Sequence, residues 1–576
     1  MLVVSWVLFG AFILSLVWIG WRAWLVKDEL EALIPLVEQA KAATEIRDLD
    51  ALEAVAEETS EHAARAAELT GEPMWAMAEA MPVVGANFAA VRIVSENLDA
   101  LTGTAVLPLT DVVRQVQESG SAGGEFDLAT MAAAREPLSA AADTFTTAAT
   151  ELTSIDPSKL VGPVSEGVTT LADFVGHAAP IVDAFDRAAR ALPPMLGSDE
   201  PRQILVMVQN GAELRTGGGI SGSFILLSAA EGRISIAEQT DAAVFPVLGE
   251  PIIELPEAVA DLYGDVVGEW VQNTTMPSDF DLTAQLAVAW WTNAGYAEPD
   301  TVVSIDVPAL AAMLGAIGPI PLDDGRALGP DNLVEILLTE PYLTMDGEEQ
   351  TAFQRAITRN VFSHAMSASL SPLTWGEALM TPIEEGRISV WSARPEEQAV
   401  FDGTMLAGPA ARHESADPAV SIYLNDATAG KLDLFLGVEM GLVELDCRSD
   451  GRHDLVVEVT LTNEAPEDAG ERFSDTMTGA GLAGVPRGHI ATNVTAAGPA
   501  GSFVGGVRID GELSRTRLAT ESGFPSSVAR VTLAPGESKT IEFRFVASGT
   551  GDVNPDLLHT PLLREPTIKD IDASCR

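Results

Sequence analysis

The sequence predicts a multi-domain protein with an N-terminal transmembrane helix, an α-helical stalk or bundle, a central layered α/β domain and a C-terminal β-sandwich. Three observations predict it. Residues 2–21 carry no charge, and residues 27–192 are rich in Ala, Glu, Leu and Val at helical spacing. From residue 199 on, short β runs appear, first mixed with helices and then alone. A chain of 576 residues is too long for one core and suits several domains.

The first element is Leu2 to Trp21, LVVSWVLFGAFILSLVWIGW, an uncharged run long enough for a bilayer core of ~30 Å. Trp6, Trp18 and Trp21 suit the two interfaces. A cleaved signal peptide would instead want a basic start, a shorter apolar run and a small-residue cleavage site. The expectation is an anchor over 1–26 and a single-pass protein of the cell membrane with its bulk extracytoplasmic. Arg22 and Lys27 argue for the opposite orientation, but long domains translocate largely regardless of charge. Lys and Arg number 34 against 84 Asp and Glu, a net charge of −50. That balance repels phosphate backbones and anionic headgroups, so no nucleic acid is expected as a partner and membrane association must come from insertion.

The stalk is expected over 27–195. Val91, Val94, Leu98 and Leu101 form one helical stripe, and Leu138, Ala142, Phe145, Ala149 and Leu152 form another. Pro82 and Gly85, the glycines of 120–124, and Pro157 with Gly162 divide the run, and Pro193–Pro194 closes it. The α/β domain is expected over 199–430. Ile204–Val208, Phe224–Ser228, Arg233–Ile236 and Val302–Ile305 read as strands. Leu282–Asn293, Pro308–Leu314 and Thr351–Met366 read as helices, and such mixed order indicates layers. Over 431–576 the alternation has period two, with Leu455, Val457 and Val459 on one face and the turn Ala534-Pro535-Gly536 after Val531–Leu533.

The two cysteines, Cys447 and Cys575, are candidates for one disulfide fastening the C-terminal tail, the alternative being two separate thiols. No metal site is indicated, because the seven histidines have no ligand spacing. GISGS around Ser221 misses the nucleophile-elbow pattern by one position. Gly217, Gly219 and Gly222 match G-x-G-x-x-G but lead into a strand, whereas a dinucleotide site needs a helix there. His364 and Trp391 read as packing or surface residues.

The most distinctive segment is Gln209-Asn210-Gly211-Ala212-Glu213-Leu214-Arg215-Thr216-Gly217-Gly218-Gly219. Glycines allow close backbone approach, and an arginine pairs bidentately with phosphate or carboxylate, which makes this a candidate anion-binding loop. The alternative is that Glu213 and Arg215 pair within the protein and the glycines only tighten a connection.

QNGAELRTGGGISGSFILLSAAEGRISI, then VVSIDVPALAAMLGAIGPIPL, then IYLNDATAGKLDLFL resemble the domain of unknown function 4012 family, membrane proteins of Gram-positive and especially actinobacterial cells. The central region is more distantly similar to the LytR-CpsA-Psr transferases, which move glycopolymers from a polyprenyl-pyrophosphate carrier onto peptidoglycan with Mg²⁺ and an arginine cluster. That resemblance places Arg215 at a loop arginine, Asp241 at an acidic position, and Arg355 and Arg359 near a basic pair. Gly217–Gly219 stand where those enzymes keep an Asp-containing motif, and Gln239-Thr240 stand where an arginine precedes the acid. Arg355 and Arg359 also suit a surface helix with ion pairs to nearby Glu348 and Glu349. Two functions are therefore expected as alternatives. One is binding of an anionic, lipid-linked envelope glycopolymer or peptidoglycan around Arg215, with its transfer left open and Mg²⁺ implied only if transfer holds. The other is a non-catalytic envelope scaffold or adhesion protein acting through stalk and sandwich.

Overall fold

A computed structural model describes the backbone of residues 2–576 except 46–47, 119–124, 323–324, 369, 371, 447, 552 and 572–576. It describes their side chains except at 2–16, 37, 41, 44–45, 118 and 372–373. The expected disulfide pair Cys447 and Cys575, and the expected glycine break at 120–124, lie outside the described residues. The chain divides into two compact units, one of residues 1–120 and 127–193 and one of residues 121–126 and 194–576.

The first unit is helical. Its opening helix, Leu2–Glu45, runs beyond Trp21 through Arg22, Lys27, Asp28 and Glu29 and packs beside Leu49–Thr70. Ile19, Val26 and Leu33 are buried at seven-residue spacing, and Ala56, Ala63 and Thr70 repeat that spacing on the neighbour, the seam of a helical hairpin. Arg22 pairs with Glu72, and His62 Nδ1 lies 2.6 Å from Glu29. This corrects the expected transmembrane anchor and the single-pass localisation that rested on it. Among the described residues no helix is long and apolar enough to cross a membrane. The uncharged run is the first part of a longer helix whose remainder is built for a helical partner.

Helices Gly85–Ala100, Leu128–Thr153 and Gly162–Met195 surround a core of Ala90, Val94, Leu101, Ala141, Phe145, Leu152, Leu171 and Val175. Both expected stripes contribute, together with the buried alanines Ala90, Ala105, Ala141 and Ala148. Gly85 permits one of these turns, since a Cβ there would stand 2.0 Å from the Glu79 carbonyl oxygen. Pro193 and Pro194 do not end the last helix, which continues to Met195 before Gly197 at φ +79°.

The second unit holds a five-stranded mixed sheet and a two-sheet sandwich. In chain order the strands are β1 (Arg202–Asn210), β2 (Ile220–Ala230), β3 (Arg233–Asp241), β4 (Thr301–Asp306), β5 (Ile320–Pro321), β6 (Ala327–Leu328), β7 (Ile388–Ser392), β8 (Ala419–Asp426) and β9 (Leu436–Leu445). There follow β10 (Asp454–Asn463), β11 (Ile490–Ala497), β12 (Phe503–Ile509), β13 (Glu512–Leu513), β14 (Arg517–Glu521), β15 (Phe524–Leu533), β16 (Ser538–Val546), β17 (Asp556–His559) and β18 (Thr567–Ile568). The mixed sheet has the order β3-β2-β1-β4-β7, and only β1 and β4 run parallel. The helix Phe280–Asn293 covers one face, where Trp290 and Trp291 pack on Leu205, Met207, Phe224, Leu226 and Val302. Alternate residues Ile204, Val206 and Val208 are buried too, so β1 is covered on both faces.

The sandwich sheets are β13-β12-β16-β10-β9-β18 and β14-β15-β11-β8-β17. β8, which lies within the expected α/β span, belongs to the sandwich and pairs with β11. The architecture is thus mixed helix and sheet in two units, in place of the four-part reading headed by a transmembrane helix. The sandwich core, with Leu455, Val457, Val459, Phe543 and Phe545, also contains Ala212 and Leu214 of the β1–β2 loop. The β1–β2 loop of the α/β part is therefore inserted into the sandwich core, while the sheet itself packs in a separate cluster with Trp290 and Trp291.

Trp290→Ala is expected to destabilise the second unit by about 3–5 kcal/mol, because a fully buried indole leaves a cavity between helix and sheet. Urea unfolding of the full chain followed by tryptophan fluorescence checks this, and a loss below about 1 kcal/mol would contradict the packing.

Candidate functional site at the β1–β2 loop

The loop between β1 and β2 is a buried knot. Glu213, Arg215 and Thr216 are each less than one-tenth exposed. Gly217 N–H donates to the Thr275 carbonyl, Gly218 N–H to that of Arg215, and Gly219 N–H to Gln209 Oε1 at 2.8 Å. Gly218 takes φ +123°, and a Cβ on Gly219 would stand 2.3 Å from the Asn210 backbone. Glycine is therefore required by turn geometry, and all three N–H groups are already used.

Arg215 is saturated as well. Nε and Nη2 donate to Asn273 Oδ1 at 3.1 and 2.8 Å, and Nη2 also donates to Glu213 Oε1 at 3.0 Å. Nη1 donates to the carbonyls of Leu214, at 2.7 Å, and Asp426, at 3.4 Å. The five N–H groups of a guanidinium are all engaged. Glu213 accepts a second cation, Lys431, through Oε2. Asp433 Oδ2 accepts Leu214 N–H at 2.8 Å, and Asn425 Oδ1 accepts Thr216 N–H at 3.1 Å. These partners come from β8 and the turn after it, so the charged knot joins the α/β sheet to the sandwich.

Electrostatics follow from burial. Burial pushes the Glu213 carboxyl up, but Lys431 and Arg215 outweigh it and hold it below its ordinary value. Burial would lower the Lys431 ammonium, yet Glu213 holds it up. Asp433 is raised well above the carboxylate range by burial and by Asp426 beside it. Asp426 is pushed up to about 6, first by burial and then by Glu213.

The other expected residues form a second set. Asp241 ends β3, pairs with Arg355 and accepts Ala243 N–H at 3.0 Å. Arg359 donates to Gln239 Oε1 at 2.7 Å, and Gln239 Nε2 donates to the Arg355 carbonyl at 3.0 Å. Arg355 and Arg359 thus fasten the helix Gly347–Ser367 to β3 and share no hydrogen-bond partner with Arg215. Glu213, Arg215 and Gly217–Gly219 are brought together; Asp241, Arg355 and Arg359 are brought together elsewhere. Asp241 is spent on Arg355 and a turn, and among the described residues no group of three His, Cys, Asp or Glu side chains is placed to hold a metal ion. These residues do not make a Mg²⁺ site. His364 is exposed, its Nδ1 3.0 Å from the Asn360 carbonyl, and the Trp391 indole N–H donates to Asp281.

The carboxyl edge of the mixed sheet, where α/β folds commonly take ligands, is filled from within. Arg387 Nη1 donates to Asp306 Oδ2 at 2.8 Å and Nη2 to the Leu562 carbonyl at 3.0 Å. Leu563 lies against Gly211, and Thr560 is tied to β8 through Leu424 N–H at 3.0 Å. Lys431, Asp426, Asp433, Asn273 and Arg387 escaped the sequence reading. The signal for three of them is in IYLNDATAGKLDLFL, where one lysine and two aspartates interrupt an apolar run.

Two predictions follow from this geometry. Lys431→Met strands Glu213 with one cation and is expected to cost about 3 kcal/mol in urea unfolding, while adding Glu213→Gln recovers part of the loss. For Asp426 the sign is set by its raised value. Between pH ~4 and ~6 the folded chain holds a proton the unfolded chain has released, so this group's contribution is full below pH ~4 and lost as pH rises through ~6. Glu213 works oppositely, its contribution being lost as pH falls through its lowered value. Asp426→Asn is therefore expected to flatten the decline from pH ~4 to ~6 and to stabilise the protein near neutrality by about 1–3 kcal/mol, measured as unfolding free energy against pH.

Comparison with known proteins gives one family and little else. No curated protein matches the chain. Among solved structures, the crystal structure of protein gbs0355 from Streptococcus agalactiae is 14% identical, covering 37% of this chain and 76% of that one at a TM-score of 0.23, too low to carry an argument. The LytR-CpsA-Psr likeness is not shown by these matches. Residues 199–342, from the lead-in to β1 through the short helix Glu340–Thr344, match the family model described as Protein of unknown function (DUF4012), which supports the DUF4012 family for this chain.

Proposed function

We propose that this is a non-catalytic interaction protein, a scaffold or adhesion module that works through its folded surfaces. The observation that supports this reading is the saturation of Arg215, whose five N–H groups are all spent on protein acceptors in a buried knot. Binding or transferring a pyrophosphate-linked glycan requires fixed cations facing the phosphates, with donors to spare. Arg355 is committed to Asp241 and Arg359 to Gln239. A chain of net charge −50 also repels a polyanion at long range. A protein whose charged groups join its own parts is suited to presenting a rigid surface.

The test is a calorimetric titration of the full chain with inorganic pyrophosphate, then with a polyprenyl-pyrophosphate glycan, in Mg²⁺ at about 0.15 M ionic strength. No saturable binding is expected. Saturable binding that Arg355→Ala abolishes, with the fold intact by circular dichroism, would restore the carrier-binding alternative.

A further inference from the structure

Acidic residues outnumber basic ones 84 to 34 in this chain, so an arginine that meets no carboxylate calls for a reason. Arg387 holds Asp306 and Glu385, and Arg394 holds Glu200. Arg412 is different. Its guanidinium makes no hydrogen bond or ion pair with any described residue, although its Nε is buried. A buried N–H without an acceptor costs its full desolvation penalty, and a buried charge costs more. Burial, with Arg387 adding to it, pushes the Arg412 guanidinium below its ordinary value, and the group that opposes them is the Tyr423 phenol, not a carboxylate. The residue as a whole is only partly buried, so a solute can reach it.

The surroundings hold this arginine in place without neutralising it. The helix Pro409–Ser415, which carries Arg412, is fastened at three points. Ala410 N–H donates to the Ser278 carbonyl at 3.0 Å, His413 Nδ1 lies 2.6 Å from Ser421 Oγ, and Tyr423 OH donates to the Pro409 carbonyl at 3.4 Å. Gly386 takes φ +72°, and a Cβ there would overlap Arg412 Nη1, so the guanidinium rests against a residue that has to be glycine. Nε and Nη2, which bear two parallel N–H bonds, end on no protein acceptor.

We propose that Arg412 is the recognition group of a carboxylate-binding site, where the two oxygens of one carboxylate accept from Nε and Nη2. A guanidinium fork matches a planar carboxylate in shape and charge. A phosphate dianion fits less well, because the neighbouring Arg387 already carries Asp306 and Glu385, whose charge opposes a second negative charge. The carboxylate belongs either to a small free acid or to the carboxyl end of a partner chain, and the recognition chemistry is the same for both. The site shares no residue with the Arg355–Asp241 and Arg359–Gln239 pairs and goes beyond the interaction-protein reading.

The experiment uses the full chain with nitrogen-15 in its arginines, and the Arg412 Nε–H resonance is identified by its loss in Arg412→Met. Sodium acetate, exchanged for chloride at about 0.15 M ionic strength, is expected to move that resonance saturably with a Kd on the order of 1–10 mM. N-acetyl-triglycine is expected to move it too, and its amide is not. Binding of that peptide at least about tenfold tighter than acetate assigns the site to a chain end, and equal or weaker binding assigns it to a small free acid. Without ligand, Arg412→Met is expected to keep or raise the urea midpoint, because it removes a buried charge that has no partner. A resonance that acetate leaves unmoved, or a lowered midpoint in Arg412→Met, overturns the site. Inorganic phosphate moving the resonance as strongly as acetate overturns the carboxylate assignment. The interaction-protein reading survives each of these failures, since it falls only to pyrophosphate or glycan-carrier binding that Arg355→Ala abolishes.

Discussion

The second unit depends on one buried arrangement of charge, Glu213 held between Arg215 and Lys431. Three ionised groups taken out of water cost several kcal/mol each before any pairing, so the arrangement persists only because nearly every donor is satisfied. Its value is positional. Arg215 reaches Asn273 and the β8 backbone, while Lys431 and Asp433 reach back from the turn after β8. An apolar contact could slide, but a set of directed bonds admits one docking of sheet on sandwich. Ala212 and Leu214, adjacent to these charges, can then enter the sandwich core without ambiguity of register.

This arrangement explains why a loop rich in glycine and charge is a poor guide to ligand binding. The composition that favours an anion, free N–H groups beside a guanidinium, is the same composition that a tight internal junction needs. Burial separates the two cases. In an open loop the N–H groups of Gly217–Gly219 would face solvent, whereas here they end on Thr275, Arg215 and Gln209. The polar contacts continue across the junction, with Glu521 accepting from Tyr263 OH at 2.9 Å and Ser278 N–H at 2.9 Å. A junction of this kind fixes the two layers in one register through directed bonds.

Local periodicity made much of the fold legible. The apolar run at 204–208, the paired tryptophans of the helix Phe280–Asn293 and the alternation at 455–459 each reflect interactions within a few residues, which sequence pattern records. What was not legible depends on distant partners. Glu213 and Lys431 are 218 residues apart, and no spacing rule connects them. β8 lies within the span read as α/β, and its pairing with β11 and β17 assigns it to the sandwich. Residues 2–21 are uncharged and read as an anchor on that ground, but lack of charge does not register that the same helix continues into a seven-residue seam. Of the candidate site, the loop cluster was visible as a group of residues, while its meaning lay in Asn273, Asp426 and Lys431.

The strap at Thr560–Leu563 gives the fold an order in time. Leu562 closes on Arg387 across 175 residues, and Thr560 on Leu424 across 136. At a synthesis rate of about 5–20 residues per second, the nascent sheet waits on the order of ten seconds or more with its carboxyl edge bare. During that interval the Asp306–Arg387 pair lacks the Leu562 carbonyl that completes it, and Gly211 lacks the cover of Leu563, so the carboxyl edge of the sheet is the last part of the fold to close.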